Sequence, residues 1–532
     1  MKIRTGITLA AIIAAAVVSG CAGGQKNSGK GIIKEVTTTD QYPLSSSDTI
    51  TWYCPLGGLS DVVSSMNESE FAKEFIKQTG VNVEFQHPTE GSAEQSFNLM
   101  VASGDYPDII EYNWGSYSGG LSKVVEDNIA VPLNDIVEKV SPNFKKLLEE
   151  HPEIKRDITT SSGEIAMYPF YRGDDILCTY YGPMVRGDLL DDMGAEVPET
   201  IDEWENMLRA FKDKVDVPCI VDLTPSKMRG VDMFLGAYNV DSDLYIDSGK
   251  IKYGPSEDGF RSWVEKMASW YNEGLIDREL ANLDSKRTSS LVINGQAGAV
   301  LGYNGSDFGT WLPTFREKNP GKSLVPTKFP SAKKGERPQF GHKEPRILGI
   351  GGVISTGCKN PEIAARLLDF AYTEKGHNLY NFGIEGVSYE MKDGIPTYTS
   401  KITNSEKEMN LSIGQALSMY SRVGSSGPFV QDKNYITQYY RDETQKKALE
   451  MWSDNSEEEH YLPALQYSDD ESKEISKIMS DIRTYVDENV LKMIMGVTPL
   501  SEYDTFVSRI DSMGIDKVLD ITQKAYDRYM AQ

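Results

Sequence analysis

The chain has 532 residues, more than one ordinary hydrophobic core accommodates, so two lobes or domains are expected. Its 39% hydrophobic and 25% charged residues are those of a soluble globular protein, and a net charge of -24 argues against a nucleic-acid partner and against adsorption to anionic lipid through the protein surface. Four of the five cysteines, Cys54, Cys178, Cys219 and Cys358, are scattered with no C-x-x-C pair, which speaks against a disulfide framework and leaves one isolated bridge open.

At the start, Lys2 and Arg4 precede an apolar stretch from Ile7 to Val18, shorter than the roughly 20 residues that span a bilayer. Ser19, Gly20 and Cys21 follow, so residues 1–20 read as a signal peptide ending in a lipobox, with Val18 where Leu is usual. That pattern implies cleavage before Cys21 and a diacylglycerol thioether on its sulfur; the alternative is an ordinary signal peptide with an incidental cysteine. Residues 21–47, rich in Gly, Ser, Thr and Lys after the cysteine, read as a flexible tether. No second apolar run is long enough to span a membrane, which leaves the lipid as the membrane attachment.

The folded part begins with "TITWYCPL", where Ile50, Trp52 and Cys54 alternate with Thr51 and Tyr53 as in a half-buried strand. A helix with Phe71 and Phe75 four apart follows, stopped by Gly80. Then come the alternating "VNVEF", a helix carrying Phe97, Met100 and Val101, and the strand "DIIEY". This β-α-β-α-β order is that of a parallel, doubly wound α/β sheet, and it places ligand contacts in the loops Tyr53–Gly58 and Tyr112–Tyr117 at the strands' carboxyl ends. Further on, Thr200 and Glu203 form a capping box before a helix whose apolar face is Ile201, Trp204, Leu208 and Phe211. "DSDLYIDSGKIKYG" reads as a hairpin turning at Ser248-Gly249. "GIGGVISTGCKNPEIAARLLDFAYTEKG" reads as a buried strand, then a helix capped by Asn360 and running to Gly376. Beyond about residue 405 the chain is mostly helical, and no repeat of 20–50 residues is present.

Enzyme signatures are scarce. G-x-S-x-G, H-E-x-x-H and a phosphate-binding G-x-x-x-x-G-K-[ST] loop are absent, and the five histidines do not pair at metal-ligand spacing. Asp241, Asp243, Tyr245 and Asp247 suggest a calcium loop, but Ile246 and Lys252 occupy the positions that need Gly and Glu. No catalytic residue, metal or cofactor is nominated. The distinctive endowment is aromatic: 28 Tyr and 7 Trp, many beside loop glycines, as in "EYNWGSYSGG", "YPFYRGDD", "GYNGSDFGTWLP" and "NFGIEGVSYE". Such rings stack on the CH-rich faces of sugars, while Asn, Asp and Arg bind hydroxyls.

With "MVASGDYPDII", "YYGPMVRGDLLDDMGAEVPETIDEWENML", "WYNEGLIDREL" and "YDTFVSRIDSMGIDKVLDITQKAYDRYM" in this order, the chain resembles extracellular solute-binding proteins of family 1, the ligand-capturing subunits of ABC importers, and within them the longer LplA-like lipoprotein branch. The resemblance covers nearly everything after the tether. It implies a two-lobed periplasmic-binding-protein fold of class II type, each lobe a doubly wound sheet flanked by helices, with a helical C-terminal region. Lobe 1 would take residues 48–178 and 350–410, and lobe 2 residues 179–349 and 411–532. Crossings would lie near Cys178–Gly182, Ile347–Ile354 and residues 405–420. Some members of the branch carry a calcium loop after the capping-box helix, but "FKDKVDVPCIVD" lacks the clustered ligands.

The expected function is a monomeric receptor on the outer face of the cell membrane, held by its lipid, that passes a carbohydrate, an oligosaccharide above all, to an ABC permease. Candidate contacts are Tyr53, Asn113, Trp114, Tyr171, Arg172, Tyr303, Asn304, Trp311 and Glu385, with Trp114, Trp311 and Tyr303 stacking and Asn113, Asn304, Arg172 and Glu385 binding polar groups. A peptide receptor of the same fold, an exported glycosidase or lyase, and an adhesion or chaperone lipoprotein are the alternatives.

Overall fold

A computed structural model of the chain describes Ile33 and residues 35–531, apart from 90, 229–232, 425–426 and 455–457. Cys21, the signal segment and most of the tether read above lie outside the described residues. In chain order the strands are β1 (Thr49–Tyr53), β2 (Asn82–Gln86), β3 (Ile109–Asn113), β4 (Tyr168–Pro169), β5 (Tyr171–Arg172), β6 (Tyr181–Arg186), β7 (Val217–Ile220) and β8 (Leu244–Asp247). They continue with β9 (Lys250–Tyr253), β10 (Ala297–Tyr303), β11 (Leu324–Pro326), β12 (Ile350–Ile354), β13 (Tyr389–Lys392), β14 (Ile395–Tyr398) and β15 (Val430–Gln431).

Two sheets define two α/β lobes. The first has the order β2-β1-β3-β12-β4, with β1 parallel to both β2 and β3 as the alternating pattern expects. β12 returns from the second lobe and lies antiparallel to β3, pairing Ile350 with Asn113 and Ile354 with Ile109. The second sheet has the order β11-β6-β10-β7, with β10 antiparallel to β6 and parallel to β7. Both sheets are thus mixed rather than wholly parallel, the first because β12 returns antiparallel to β3 and β4, the second because β6 runs antiparallel to β10 and β11.

Local sequence explains most elements. Ile50 and Trp52 turn inward from β1, and Phe75 meets the Trp52 ring edge-on at 5.9 Å. The helix Glu70–Thr79 is capped by Ser69, whose side chain accepts the Ala72 N–H, and ends at Gly80 in the left-handed conformation. Both halves of the Thr200–Glu203 capping box form, and Ile201, Trp204, Leu208 and Phe211 are buried, each contributing about 1.5–3 kcal/mol of burial. The β8–β9 hairpin turns at Ser248 and Gly249, both with positive φ, the geometry of a two-residue hairpin turn. The helix expected to run from Asn360 to Gly376 is in fact two, Pro361–Phe370 and Glu374–Phe382, because the Thr373 side chain caps the second by accepting the Gly376 N–H. The four cysteines named above are all free, so the bridge left open in the sequence is not formed.

Two boundaries need correction. The last part of the expected tether is docked on lobe 1. Glu362 accepts backbone N–H bonds from Thr37 (2.9 Å) and Thr38 (2.6 Å) and both threonine hydroxyls, Arg366 pairs with Asp40, and the Tyr42 hydroxyl donates to the Arg366 carbonyl. Leu44 is buried and its N–H bonds the Thr79 carbonyl at 2.7 Å, an approach that Gly80 permits because a Cβ there would fall 2.3 Å from the Leu44 carbonyl oxygen. Residues 411–422, assigned to lobe 2, also belong with lobe 1. The helix Ile413–Tyr420 packs with Phe382, Tyr389 and Tyr398, and Arg422 reaches into the first sheet, where it pairs with Glu111 at 2.8 Å. The third crossing therefore follows residue 420 rather than lying within 405–420.

Candidate functional site

Three chain segments join the lobes and are bonded to one another. β5 runs parallel to β15, pairing Tyr171 with Val430 and Arg172 with Gln431, so the first and third crossings lie side by side. The second crossing, residues 342–349, lies against the first: the Arg172 N–H donates to the Arg346 carbonyl (3.0 Å), the Glu344 N–H to the Cys178 carbonyl (2.9 Å), and the Thr179 hydroxyl to the His342 carbonyl (3.1 Å). Any change of lobe angle bends this three-stranded strap.

A cavity of about 310 Å³ opens where the crossings meet lobe 2. Its walls are Arg172, Thr179 and Tyr180 of the first crossing, Val423 and Gly424 of the third, Tyr303, Gly305 and Ser306 after β10, and Tyr435 and Tyr440. Arg172 is 7% exposed; its guanidinium bonds the Glu344 carboxylate (2.7 Å) and the Pro345 carbonyl (3.1 Å) and lies 5.6 Å over the Tyr180 ring. Tyr303 is 43% exposed, with the Tyr181 ring at 4.4 Å and the Tyr180 ring stacked at 6.1 Å. Burial and the adjoining Glu344 carboxylate push the Tyr180 phenol up, so it stays a neutral hydroxyl. Burial also holds the Asp307 carboxyl above its ordinary range, offset in part by the Tyr303 N–H that donates to it at 2.9 Å. Flat rings, hydroxyls and a fixed guanidinium in one concave site suit a ligand with apolar faces and polar edges.

A second cavity, about 510 Å³, lies between the loop Trp114–Leu121 at the carboxyl end of β3 and the lobe-2 residues Ala464–Tyr467, Ser472 and Ser476. It places a ligand-sized space where a doubly wound sheet is expected to offer one.

Of the sequence candidates, Arg172 and Tyr303 come together in the smaller cavity. Asn113 is exposed at the end of β3, beside the second. Trp114 lines the second cavity but is 0% exposed: its indole N–H donates to the Gly351 carbonyl, and Phe97 and Tyr112 meet its ring edge-on at 5.7 and 5.6 Å, so no face is left to stack on a sugar. Trp311 is 3% exposed in the helix Gly309–Lys318, bonded to Ser289 and packed on Phe308, and the loop expected there does not exist. Asn304 is fully buried and holds Gln445 through two hydrogen bonds, which corrects its assignment as a hydroxyl binder. Tyr53 and Tyr171 are buried at 8% and 3% exposure. Glu385 is exposed beside the β13–β14 hairpin of lobe 1 and lines neither cavity.

Sequence reasoning missed Tyr180, Tyr181, Glu344 and Tyr435. The first two adjoin the crossing that the sequence did mark, and the run "TYYG" carried that signal. Glu344 and Tyr435 come from segments distant in the chain and had none. Among the described residues no cluster of three or more His, Cys, Asp and Glu side chains could hold a metal, and Asp243 of the rejected calcium loop pairs with Arg483 at 2.7 Å.

A family model described as bacterial extracellular solute-binding protein matches residues 64–378. A fructooligosaccharide ABC transporter substrate-binding protein, FusA of Streptococcus pneumoniae, is 23% identical over 561 aligned positions covering 100% of this chain and 99% of the relative. Among solved structures, an alginate-binding protein, AlgQ2 without calcium ion, superposes with a TM-score of 0.67 at 24% identity, covering 92% of this chain and 100% of that one. A human-milk-oligosaccharide (HMO) binding solute-binding protein from Bifidobacterium longum infantis superposes with a TM-score of 0.71 at 19% identity, covering 90% and 99%.

Proposed function

The chain belongs to the bacterial extracellular solute-binding protein family, and from that premise we propose that it is a lipid-anchored receptor that captures an oligosaccharide between its lobes and passes it to an ABC permease. The observation that carries this reading is the cavity at the three crossings, where the exposed Tyr303 ring of lobe 2 converges with Tyr180 and the buried Arg172 of the strap between the lobes. The relatives support the ligand class: one is named for fructooligosaccharides, and similar folds are named for alginate and milk oligosaccharides.

Capture needs no covalent step. A sugar stacked on Tyr303 and bonded to Arg172 touches lobe 2 and the strap together, so it binds one lobe angle better than others and shifts the population toward it. A free-energy difference of about 2.7 kcal/mol moves a conformational ratio by about a hundredfold. The thioether on Cys21 holds the receptor at the outer face of the membrane. Among the described residues no helix is long and apolar enough to cross it.

The test is a thermal-shift panel of oligosaccharides and peptides on the full-length protein. One glycan class is expected to raise the melting temperature, with about 2.7 kcal/mol of stabilisation at a hundred times Kd, and Tyr303→Ala is expected to abolish the shift. A peptide hit without a glycan hit, or glycan cleavage products, would overturn the reading. Loss of labelled-lipid incorporation in Cys21→Ser checks the anchor.

A further inference from the structure

A third inter-lobe cavity, about 420 Å³, also borders the second crossing but is not lined by Tyr303. The helix Pro152–Asp157 of lobe 1 forms one wall, the crossing residues Lys343–Ile347 the floor, and Tyr461 with the final helix Ile515–Met530 of lobe 2 the other wall. Both lobes therefore meet anything bound there.

Its charges are unevenly satisfied. Glu344 is bonded to Arg172 at 2.7 Å, Asp157 accepts the Tyr529 hydroxyl at 2.8 Å, and Glu153 faces His151 at 3.0 Å, while Glu459 is mostly exposed. The cations fare differently. Lys343 is only 13% exposed, yet among the described residues its ammonium has no hydrogen-bond acceptor, and Asp175, the one carboxylate near it, stands 3.8 Å away and is already bonded to Arg346 at 2.7 Å. Arg156 meets no carboxylate within 4 Å among the described residues; its enclosed Nε has no partner, and its guanidinium rests on the Tyr529 ring at 5.2 Å. Enclosed cationic donors without acceptors are costly, and an arriving anion removes that cost by supplying lone pairs to both. A carboxylate matches the guanidinium fork in two hydrogen bonds. The adjoining Tyr526, half-buried in the same wall, supplies a ring for the sugar that bears it.

We infer that this cavity receives the carboxylate of an acidic saccharide, a uronate residue of the transported glycan, with Lys343 and Arg156 as its counter-ions. The inference rests on the carbohydrate-capture reading above and narrows it to acidic oligosaccharides.

Calorimetric titration of the full-length protein with a panel of uronic-acid trisaccharides and their neutral methyl esters tests it. At least one acid is expected to bind tenfold or more tighter than its ester. That ratio is expected to fall below about threefold in Lys343→Met and in Arg156→Met. In the wild type, affinity for the acid is expected to drop when salt rises from about 20 to about 500 mM while the ester's holds. The salt series needs no variant, so a variant that fails to fold does not remove the test. Equal binding of acid and ester, or a preference that survives both substitutions, overturns the inference. Binding of neutral fructooligosaccharides with no uronate binding also overturns it but leaves carbohydrate capture standing; no saccharide binding at all removes both.

Discussion

Trp114 and Tyr303 occupy comparable places in the two lobes. Each stands at the carboxyl end of a strand inside its sheet, β3 or β10, in a stretch rich in Gly, Asn and Ser. One is 0% exposed and the other 43%. The local sequence does not separate them, but their distant neighbours do. Trp114 is enclosed by Phe97 from the preceding helix and by the Gly351 carbonyl of β12, which satisfies its indole N–H. Among the described residues Tyr303 has rings stacked or tilted beside it only from the first crossing, and 43% of it stays exposed. A glycine-rich aromatic loop thus becomes core wherever a returning strand supplies a cover, and remains available for a ligand where only the hinge flanks it.

The largest expected effects break this pair apart. Trp114→Ala should lower the unfolding free energy by about 3–5 kcal/mol, the range for emptying a buried aromatic site. Tyr303→Ala should cost under about 1 kcal/mol, as a partly exposed position does, while removing the glycan-induced thermal shift. Urea denaturation with the same glycan panel reads both. A Trp114→Ala protein of near-normal stability that no longer binds glycan would reverse the assignment of the two walls.

The wall of lobe 1 is fixed from beneath by a buried ion pair, where the wall of lobe 2 is held by the neutral Asn304–Gln445 hydrogen bonds. Arg422 and Glu111 are 2% and 1% exposed, and they join the third crossing to β3. Arg422→Met leaves a buried carboxylate unpaired and should cost about 3–5 kcal/mol, whereas Glu111→Leu combined with Arg422→Met should recover most of that loss. Recovery in the double variant would show that the pair fixes the crossing in place more than it stabilises lobe 1. A double variant as unstable as the single one would instead mean that Arg422 acts through its packing on Met66 and Tyr380.

What the sequence made legible follows from how local each signal is. Alternation in "VNVEF", the Thr200–Glu203 box and the Ser248-Gly249 turn are settled within a few residues and appear in the structure as read, while the alternation of "TITWY" holds up to Trp52 and breaks at the buried Tyr53. The Glu111–Arg422 pair spans 311 positions and the docking of Thr37 on Glu362 spans 325, so neither leaves a local mark; that is why the tether and the boundary at 411 were misplaced. The site shows the same division. Arg172 and Tyr303 were legible as polar and aromatic residues beside glycines, but the same rule also selected Trp114 and Trp311, because burial is decided by strands and helices that close over a ring from elsewhere in the chain.

The smallest expected effect sharpens the comparison through charge. Glu111 in lobe 1 has its cation, while Asp307 behind Tyr303 has only the Tyr303 N–H, and burial raises its carboxyl above the ordinary range. A carboxyl whose folded pKa is raised contributes stability below the unfolded value, near about 3.9, and loses it as pH climbs through the higher folded value. Asp307→Asn keeps an oxygen for the Tyr303 N–H and removes that loss. The variant should therefore match the wild type near pH ~3.5 and exceed it at neutral pH, by under about 1 kcal/mol once solvent screening of a half-buried group is allowed for. Melting temperatures across that pH range decide the point. A difference that is flat with pH would mean that Asp307 is already compensated by its surroundings, and that the exposure of Tyr303 carries no electrostatic cost in the wall behind it.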